Sequence, residues 1–449
     1  MLVRFSVSNY LSFNDEVSLS MIKGNMRKHP EHVIEDESWN GIKLLKAAVT
    51  YGANASGKSN LVKALDFCRD FVIEGTKAKS AIGIPKFKFD PASRERPSKF
   101  EVEIKINDLY YAYGFEIQGD IVIAEWLYTI NKNTSNLVFE RETEGEKARV
   151  EFGDVDIEDK EEEQFLNFVA RGTRPNQLYL TESINQNVSH FEHVYNWFDD
   201  TLSIIFPDSV LSGLGIGIET DEVLRGQIQQ VLQSFNTGIA GITYEEIDAP
   251  AESIFPEKLL NELRGALDKG NDAVVRSPDG RRYLVKRASD NADLSVSEMV
   301  AEHRIKGSDE LAHLEIAYES DGTQRLLELI PILLSLIGTE KVFVVDELDR
   351  SLHPSLSYKI LELFLSKTEN HASQLVVTTH EAGLLDLELL RRDEIWFVEK
   401  NRYGESEVYS LEEYAPRYDA DIRRGYLMGR FGAIPMIHGI SDLGWGGAR

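Results

Sequence analysis

The eight residues Gly52-Ala-Asn-Ala-Ser-Gly-Lys-Ser59 constrain the fold of this chain more than any other segment. They follow an apolar run over 44–51 and precede a pattern over 60–72 in which apolar residues recur on one helical face. A strand, a glycine-rich loop and a helix in this order are typical of a phosphate-binding loop, whose backbone N–H groups surround a phosphate. The sequence therefore predicts an α/β core that binds a nucleoside triphosphate.

Each part of this phosphate loop, residues 52–59, has a predicted role. The glycines allow tight turns that a Cβ would oppose. The Lys58 ammonium can reach the β- and γ-phosphates, which makes it both a binding and a catalytic candidate, and the Ser59 hydroxyl can bind Mg²⁺. We expect ATP and Mg²⁺ as cofactors, with nucleotide contacts from Gly52, Ala53, Asn54, Ala55, Ser56, Gly57, Lys58, Ser59 and Asn60.

A second motif is the apolar run over 342–345 that leads into Asp346-Glu347. Taken alone, two acids after a strand can simply be solvated charges. In a chain that also contains a complete phosphate loop, the pattern places Asp346 at the carboxyl edge of the sheet, where it can hold Mg²⁺. Glu347 is then placed to polarise the attacking water as a general base.

A histidine follows the next buried strand, in the sequence Thr378-Thr379-His380. A histidine in such a place is often structural. Its position 34 residues beyond Asp346 favours a catalytic role instead, in which His380 binds the γ-phosphate or its attacking water.

The segment 319–325, here called the signature segment, precedes a predicted helix. Ser320 and Gly322 can bind an anion there through a hydroxyl, backbone N–H groups and the helix dipole. A serine N-cap followed by a glycine-containing turn would give the same residues. The position of Ser320, 26 residues before Asp346, favours the anion site.

The chain as a whole has a pattern of three segments. Residues 1–150 contain the phosphate loop and strands that are predicted to form hairpins. Residues 151–305 begin with an acidic run and are predicted to form an inserted, mostly helical lobe. Residues 306–449 are predicted to alternate strands with helices. The predicted fold is α/β, with a mixed sheet, flanking helices and an antiparallel β-subdomain. Further helices are predicted over 161–170, 188–202, 223–235, 256–267 and 384–390.

The composition of the chain excludes or disfavours several kinds of protein and site. There is no run of about 18 apolar residues and no signal-peptide pattern at the amino end, so we expect a cytoplasmic protein without a membrane span. The single Cys68 excludes an intrachain disulfide and a cysteine-based zinc site, and it is expected in the core. A net charge of −26 disfavours broad attraction to nucleic acid, although it leaves room for a local basic groove.

Together these motifs resemble the ABC-type ATPase heads of the RecF and SMC-like branch. By that resemblance Ser320, Gly322 and Thr323 cap the γ-phosphate bound by another subunit, which implies at least a homodimer with composite ATP sites. The segment 352–354 would follow the catalytic Glu347. Two departures are that the signature reads Ser-Asp-Gly-Thr-Gln and that His353 stands where transporters carry Asp. The Mg²⁺-sensing glutamine stays unassigned, with Gln118 as a weak candidate.

A narrower resemblance is to the ATPase subunits of bacterial anti-phage and abortive-infection systems such as Septu and PARIS. It implies a sensor or regulatory ATPase that controls a separate effector, for example a nuclease. The alternative is a RecF- or SMC-like ATPase of DNA repair or chromosome maintenance, which the acidic charge and the lack of a coiled-coil heptad pattern disfavour. A transporter subunit is disfavoured by the signature and by the long insertion before it. The resemblance is carried by residues 5–13, 319–326, 346–354, 392–400 and 426–435.

Overall fold

A computed structural model describes the chain over most of its length and separates it into two compact units. The first unit comprises Met1–Ile204, Gly338–Leu348 and Leu361–Arg449, and the second comprises Ile205–Ile337 and Asp349–Ile360. The boundaries predicted at 151 and 305 stay predictions. The described residues are 1–34, 42–131, 134–145, 147–157, 159–209, 218–267, 272–287, 294–334, 340–367, 372–417 and 421–434, so residue 435 of the resembling tail lies outside them.

The described residues form the following strands and helices. The strands are β1 (Leu2–Ser8), β2 (Val17–Ser20), β3 (Val33–Ile34), β4 (Leu44–Leu45), β5 (Ala47–Tyr51), β6 (Ser98–Ile106), β7 (Leu109–Gln118), β8 (Ile121–Ile130), β9 (Ser135–Glu144), β10 (Lys147–Phe152), β11 (Leu202–Ile205), β12 (Ile239–Glu246), β13 (Ala273–Arg276), β14 (Arg282–Arg287), β15 (Leu294–Arg304), β16 (Leu311–Glu315), β17 (Val342–Val345), β18 (Gln374–Thr379), β19 (Ile395–Lys400) and β20 (Ser406–Ser410). The helices are α1 (Lys58–Ile73), α2 (Lys160–Gly172), α3 (Tyr179–Asn185), α4 (Glu192–Asn196), α5 (Glu222–Ser234), α6 (Ala251–Ile254), α7 (Glu257–Leu267), α8 (Asp321–Leu334), α9 (Pro354–Lys367) and α10 (Ile422–Leu427).

The first unit contains a parallel sheet that carries the phosphate loop. The strand order is β11-β17-β18-β5-β19-β20, in which β17, β18, β5 and β19 are parallel to one another and β20 pairs with β19 antiparallel. Every residue of β5, β17 and β18 is buried, as the largely apolar sequences of these strands predict. Because these strands run in one direction, the segments that follow them meet at one edge of the sheet. The predicted mixed α/β class is confirmed.

An antiparallel sheet of seven strands lies in the same unit, in the order β10-β9-β8-β7-β6-β1-β2. The hairpins predicted between 99 and 130 are confirmed, and β9 and β10 extend them. Helix α1 packs on this sheet through aromatic rings, with Phe67 5.1 Å from Phe100 and Phe71 5.4 Å from Phe115 between centroids. The buried Cys68 lies on the same helix, as expected for a core residue. The antiparallel sheet therefore holds helix α1 through its C-terminal half.

The second unit adds a sheet that the sequence did not reveal. Strands β12, β15, β14 and β13 pair in this order, and β16 pairs with β15. Helices α5 and α7 lie close to the predicted 223–235 and 256–267. Buried residues of α7 and of the sheet, including Leu260, Leu263, Val285 and Val296, form one hydrophobic cluster. Helix α7 thus packs against a sheet, which gives the second unit a hydrophobic core of its own.

Two predicted helices differ from the structure. Over 188–202, helix α4 is followed by a π-helical turn at Trp197–Thr201, and β11 begins at Leu202. The predicted helix over 384–390 is wrong, because only a 3₁₀ turn at Ala382–Leu384 forms there. The Asp386 carboxylate accepts the backbone N–H of Glu388 at 2.9 Å, a local bond that competes with helix formation.

Among the helices of the described ranges, none combines the length and the apolar character that a membrane crossing requires.

Candidate nucleotide-binding site

The phosphate loop connects β5 to α1 in a conformation that needs glycine. Gly57 precedes α1 with a φ of 118°, in the left-handed region that residues with a Cβ rarely adopt. A Cβ at this position would also collide with the side chains of Ser12 and Ser406. At Gly52 a Cβ would collide with the Val398 carbonyl oxygen. The backbone of the loop is therefore fixed by its surroundings.

Lys58 points back into the loop. Its Nζ donates hydrogen bonds to the carbonyl oxygens of Gly52 at 2.8 Å and Ala53 at 3.3 Å, and it lies 3.2 Å from His380 Nε2. His380 reaches this point because β18 pairs with β5 in a register that sets Thr379 opposite Tyr51. The buried ammonium group of Lys58 and the imidazole of His380 thus converge where a phosphate of opposite charge would bind.

Asp346 is held beside the loop by two hydroxyl groups. Its Oδ1 accepts hydrogen bonds from Ser59 Oγ at 3.1 Å and from Thr378 Oγ1 at 2.6 Å. The register of β17 and β18 explains this contact, since it pairs Val345 with Val377 and so brings the next residues together. Hydroxyl and carboxylate oxygens are the ligands that Mg²⁺ prefers, so Ser59 and Asp346 fit the expected metal.

Glu347 occupies a strained turn at the end of β17. Its φ is 50°, and its backbone N–H donates to Thr378 Oγ1 at 2.8 Å. Left-handed backbone at a non-glycine residue costs free energy, and such strain is often found at functional sites, where surrounding bonds hold it. This turn directs Glu347 to a cleft of about 470 Å³ that is lined by residues 54–60, Glu347, His380 and Lys400. The structure thus brings together all the catalytic and metal candidates of the first unit.

Three contributors to this cleft were not predicted as site residues. Lys400 ends β19 and lines the cleft. Ser406 Oγ donates to the carbonyl oxygen of Ser56 at 2.5 Å and contacts Ser12 Oγ at 2.8 Å, and Ser12 Oγ also accepts from Asn60 Nδ2 at 2.8 Å. Lys400 could have been found from its place at the end of an apolar strand. Ser406 has no local signal, since its contact depends on the pairing of β20 with β19.

The signature segment lies in the second unit, at the start of α8. Ser320 Oγ accepts the backbone N–H of Thr323 at 3.2 Å and lies 2.9 Å from its hydroxyl oxygen. A Cβ at Gly322 would stand 2.7 Å from the carbonyl oxygen of Ser351, so this position also requires glycine. Ser320 is exposed at the helix N-terminus. It acts as an N-cap, and its predicted role toward a phosphate stays a prediction.

Two further residues named from the sequence make local contacts. Gln118 Oε1 accepts from Lys86 Nζ at 2.8 Å, and Gln118 Nε2 donates to the carbonyl oxygen of Glu95 at 3.2 Å. These bonds hold a turn beside β7, and the Mg²⁺-sensing glutamine stays unassigned. His353 Nδ1 accepts the backbone N–H of Ser355 at 3.2 Å, at the start of α9.

The chain is similar in sequence to a known protein family. A family model described as "AAA domain, putative AbiEii toxin, Type IV TA system" matches residues 48–208 and 243–386, about two thirds of the chain. The matched ranges contain the phosphate loop, the signature segment, Asp346, Glu347 and His380. No curated protein matches the chain.

Solved structures with detectable likeness include heads of SMC proteins. The SMC head domain from Thermotoga maritima is 12% identical, with 91% of this chain and 98% of that chain covered and a TM-score of 0.33. The Smc head domain with an extended coiled coil, bound to the C-terminal domain of ScpA and derived from Pyrococcus furiosus, is 10% identical, with 92% and 97% covered and a TM-score of 0.37. At such TM-scores the likeness supports no inference about function.

Proposed function

The chain belongs to the family described as AAA domain, putative AbiEii toxin, Type IV TA system, and we propose that it binds and hydrolyses ATP and uses the nucleotide to switch its own assembly. The observation that carries this proposal is the convergence of Lys58, Asp346 and Glu347 on one cleft. A phosphate loop, a buried carboxylate on the loop serine and a second carboxylate at the rim are the parts that phosphoryl transfer to water needs.

The residues divide the chemistry among themselves. Lys58 and the backbone N–H groups at the start of α1 bind the phosphates, because both present positive charge to the loop. Ser59 and Asp346 would hold Mg²⁺, which neutralises phosphate charge when bound. Glu347 accepts a proton from the attacking water, and His380 donates a hydrogen bond on the γ-phosphate side.

The signature segment serves a second subunit in this proposal. Ser320, Gly322 and Thr323 stand at the N-terminus of a helix of 14 residues, where the dipole favours an anion. The exposed Ser320 hydroxyl is accessible to a partner. Two copies arranged with two-fold symmetry would each complete the site of the other. ATP then stabilises a homodimer or larger assembly, and hydrolysis releases it.

A defence role is the wider form of the proposal. The family description names a putative AbiEii toxin of a Type IV TA system. This agrees with the resemblance to ATPase subunits of anti-phage systems. We infer a cytoplasmic regulatory ATPase that holds a separate protein effector, such as a nuclease. Nuclease activity of the purified chain alone would contradict a separate effector, and tight, salt-sensitive DNA binding would favour the DNA-maintenance alternative.

The ATPase proposal is tested by Glu347→Gln. We expect ATP binding to persist, phosphate release to fall by about 10²- to 10⁴-fold because the general base is lost, and the ATP-bound assembly to accumulate. Equilibrium ATP binding, phosphate release and light scattering after size-exclusion chromatography measure these three quantities. Glu407→Gln, an exposed position on β20, is the matched control. Unchanged phosphate release in Glu347→Gln would remove Glu347 from this role.

A further inference from the structure

A second cluster of polar side chains lies outside the nucleotide cleft, in the turn before β3. His29, Glu31 and His32 each offer one ligand atom, and these three atoms lie within 4.8 Å of one another. Glu31 Oε1 is 3.1 Å from His29 Nδ1 and 3.6 Å from His32 Nε2. A left-handed His29, with a φ of 53°, and the 3₁₀ turn at Pro30–His32 hold the three residues in this arrangement.

A neutral histidine carries a hydrogen on one ring nitrogen and a lone pair on the other. The hydrogen bond of His29 to Leu387 indicates which nitrogen of the neutral ring has the lone pair. His29 Nε2 lies 2.9 Å from the carbonyl oxygen of Leu387. A carbonyl oxygen can only accept, so Nε2 carries the hydrogen of the neutral ring. The other nitrogen, Nδ1, therefore presents its lone pair to Glu31.

A hydrogen bond from one of its ring nitrogens orients His32 in the same way. Its Nδ1 lies 3.1 Å from Glu394 Oε2, which also accepts the backbone N–H of Arg391 at 2.7 Å. Glu394 Oε2 thus acts as an acceptor, which places the hydrogen of His32 on Nδ1 and leaves the lone pair on Nε2. A histidine held by a buried carboxylate through its other nitrogen is the usual arrangement of a metal-binding histidine.

When both imidazoles are neutral, three acceptors face one another, and a cation between them would join them. Two ligands placed about 2.0–2.1 Å from a tetrahedral zinc ion are about 3.3 Å apart, a value that lies between the two observed separations. The geometry points to a zinc site formed by His29 Nδ1, Glu31 and His32 Nε2, with solvent as the fourth ligand. Imidazole ligands favour zinc over magnesium, so the site is distinct in chemistry from the one at Ser59 and Asp346.

The surroundings of the site suit an ion that enters from solvent. The side chains of His29 and His32 are 15% and 5% exposed, whereas Glu31 is 35% exposed and forms the open side. The supporting groups, Leu387 and Glu394, lie on the segment that leads into β19. Zinc bound here would connect the turn at 29–32 to that segment through both histidines and should raise the thermal stability of the chain.

The test is zinc binding to the purified full chain after treatment with a chelator, in the absence of nucleotide. Titration with Zn²⁺ against a fluorescent competitor should give one zinc per chain, unaffected by millimolar Mg²⁺. His32→Ala should weaken binding at least 100-fold, and Glu394→Gln about 10- to 100-fold through loss of the supporting carboxylate. Glu31→Gln, at the exposed side, should also weaken binding and tests the site if His32→Ala does not fold.

His190→Ala is the matched control, because His190 pairs with Glu162 at 2.9 Å and is 19% exposed but, among the residues that the structure describes, belongs to no such cluster. It should leave zinc affinity unchanged. Co²⁺ added in place of zinc should give the visible absorption of a four-coordinate site, which is lost in Glu31→Gln. A wild-type chain that binds no stoichiometric zinc, or a Glu31→Gln chain that binds it with unchanged affinity, would overturn the assignment.

Discussion

The phosphate loop and the signature segment both lead into a helix through a glycine, yet they are held in different ways. The phosphate loop is fixed by groups far away in the chain. Asp346 binds Ser59, and Ser406 binds the carbonyl oxygen of Ser56. Ser320 of the signature segment, by contrast, is held within its own turn, where it is bonded to Thr323 three residues later.

This difference in support corresponds to a difference in exposure. Lys58 and Asp346 are each 4% exposed, whereas Ser320 is exposed to solvent. A site whose groups are already in position loses little free energy to reorganisation when a ligand binds. The phosphate loop therefore has the character of a preformed binding site, and the signature segment that of a surface presented to another molecule.

The largest expected effect concerns the preformed site. Lys58→Ala should weaken ATP binding about 100-fold, since charge-assisted hydrogen bonds contribute about 1.5–3 kcal/mol each. Hydrolysis should fall with it. Isothermal titration with ATP and Mg²⁺ measures the affinity, and Lys63→Ala on the exposed face of α1 is the control. An affinity within a few-fold of wild type would mean that the loop does not bind the phosphates through Lys58.

The parts of this site that the sequence predicts share one property. The phosphate loop, Asp346, Glu347 and His380 each follow a buried strand directly. Since parallel strands end at the same edge of a sheet, their distance in the fold follows from local patterns alone. The sequence missed the Ser406 contact because it depends on how β20 pairs with β19, and no local pattern encodes that register.

Elsewhere in the fold, too, local sequence patterns do not predict structure that depends on contacts between distant residues. Strand β14 has the sequence Arg-Tyr-Leu-Val-Lys-Arg, which is apolar only at its centre, and it becomes a strand by pairing with β13 and β15. Glu125 lies in an alternating strand where a solvated acid would be expected. It is fully buried instead, 3.4 Å from Arg141 on β9 and accepting from Tyr113 at 3.0 Å. Burial raises the pKa of Glu125, and Arg141 opposes that shift.

The second prediction tests whether the signature segment acts on another subunit. Ser320→Arg should bind ATP normally and lose hydrolysis, because the added side chain blocks the composite site. In an equal mixture with Lys58→Ala, about half of the dimers are mixed and each has one intact site of two. Phosphate release should therefore recover to about a quarter of wild type. A mixture that stays inactive would mean that the signature segment serves its own subunit or none.

The smallest expected effect comes from removing a side chain that supports the phosphate loop but is not expected to contact the phosphates. Ser406→Ala removes hydrogen bonds to the Ser56 carbonyl oxygen and to Ser12 and leaves the groups expected at the phosphates in place. A buried neutral hydrogen bond contributes about 1 kcal/mol, so we expect ATP affinity to fall about five-fold and the melting temperature to fall by a few degrees. Ser366→Ala, at an exposed position of α9, is the control. If Ser406→Ala lowers the melting temperature but leaves ATP affinity unchanged, the phosphate loop keeps its shape without the bonds from Ser406. The phosphate loop and the signature segment would then differ in burial but not in how they are held.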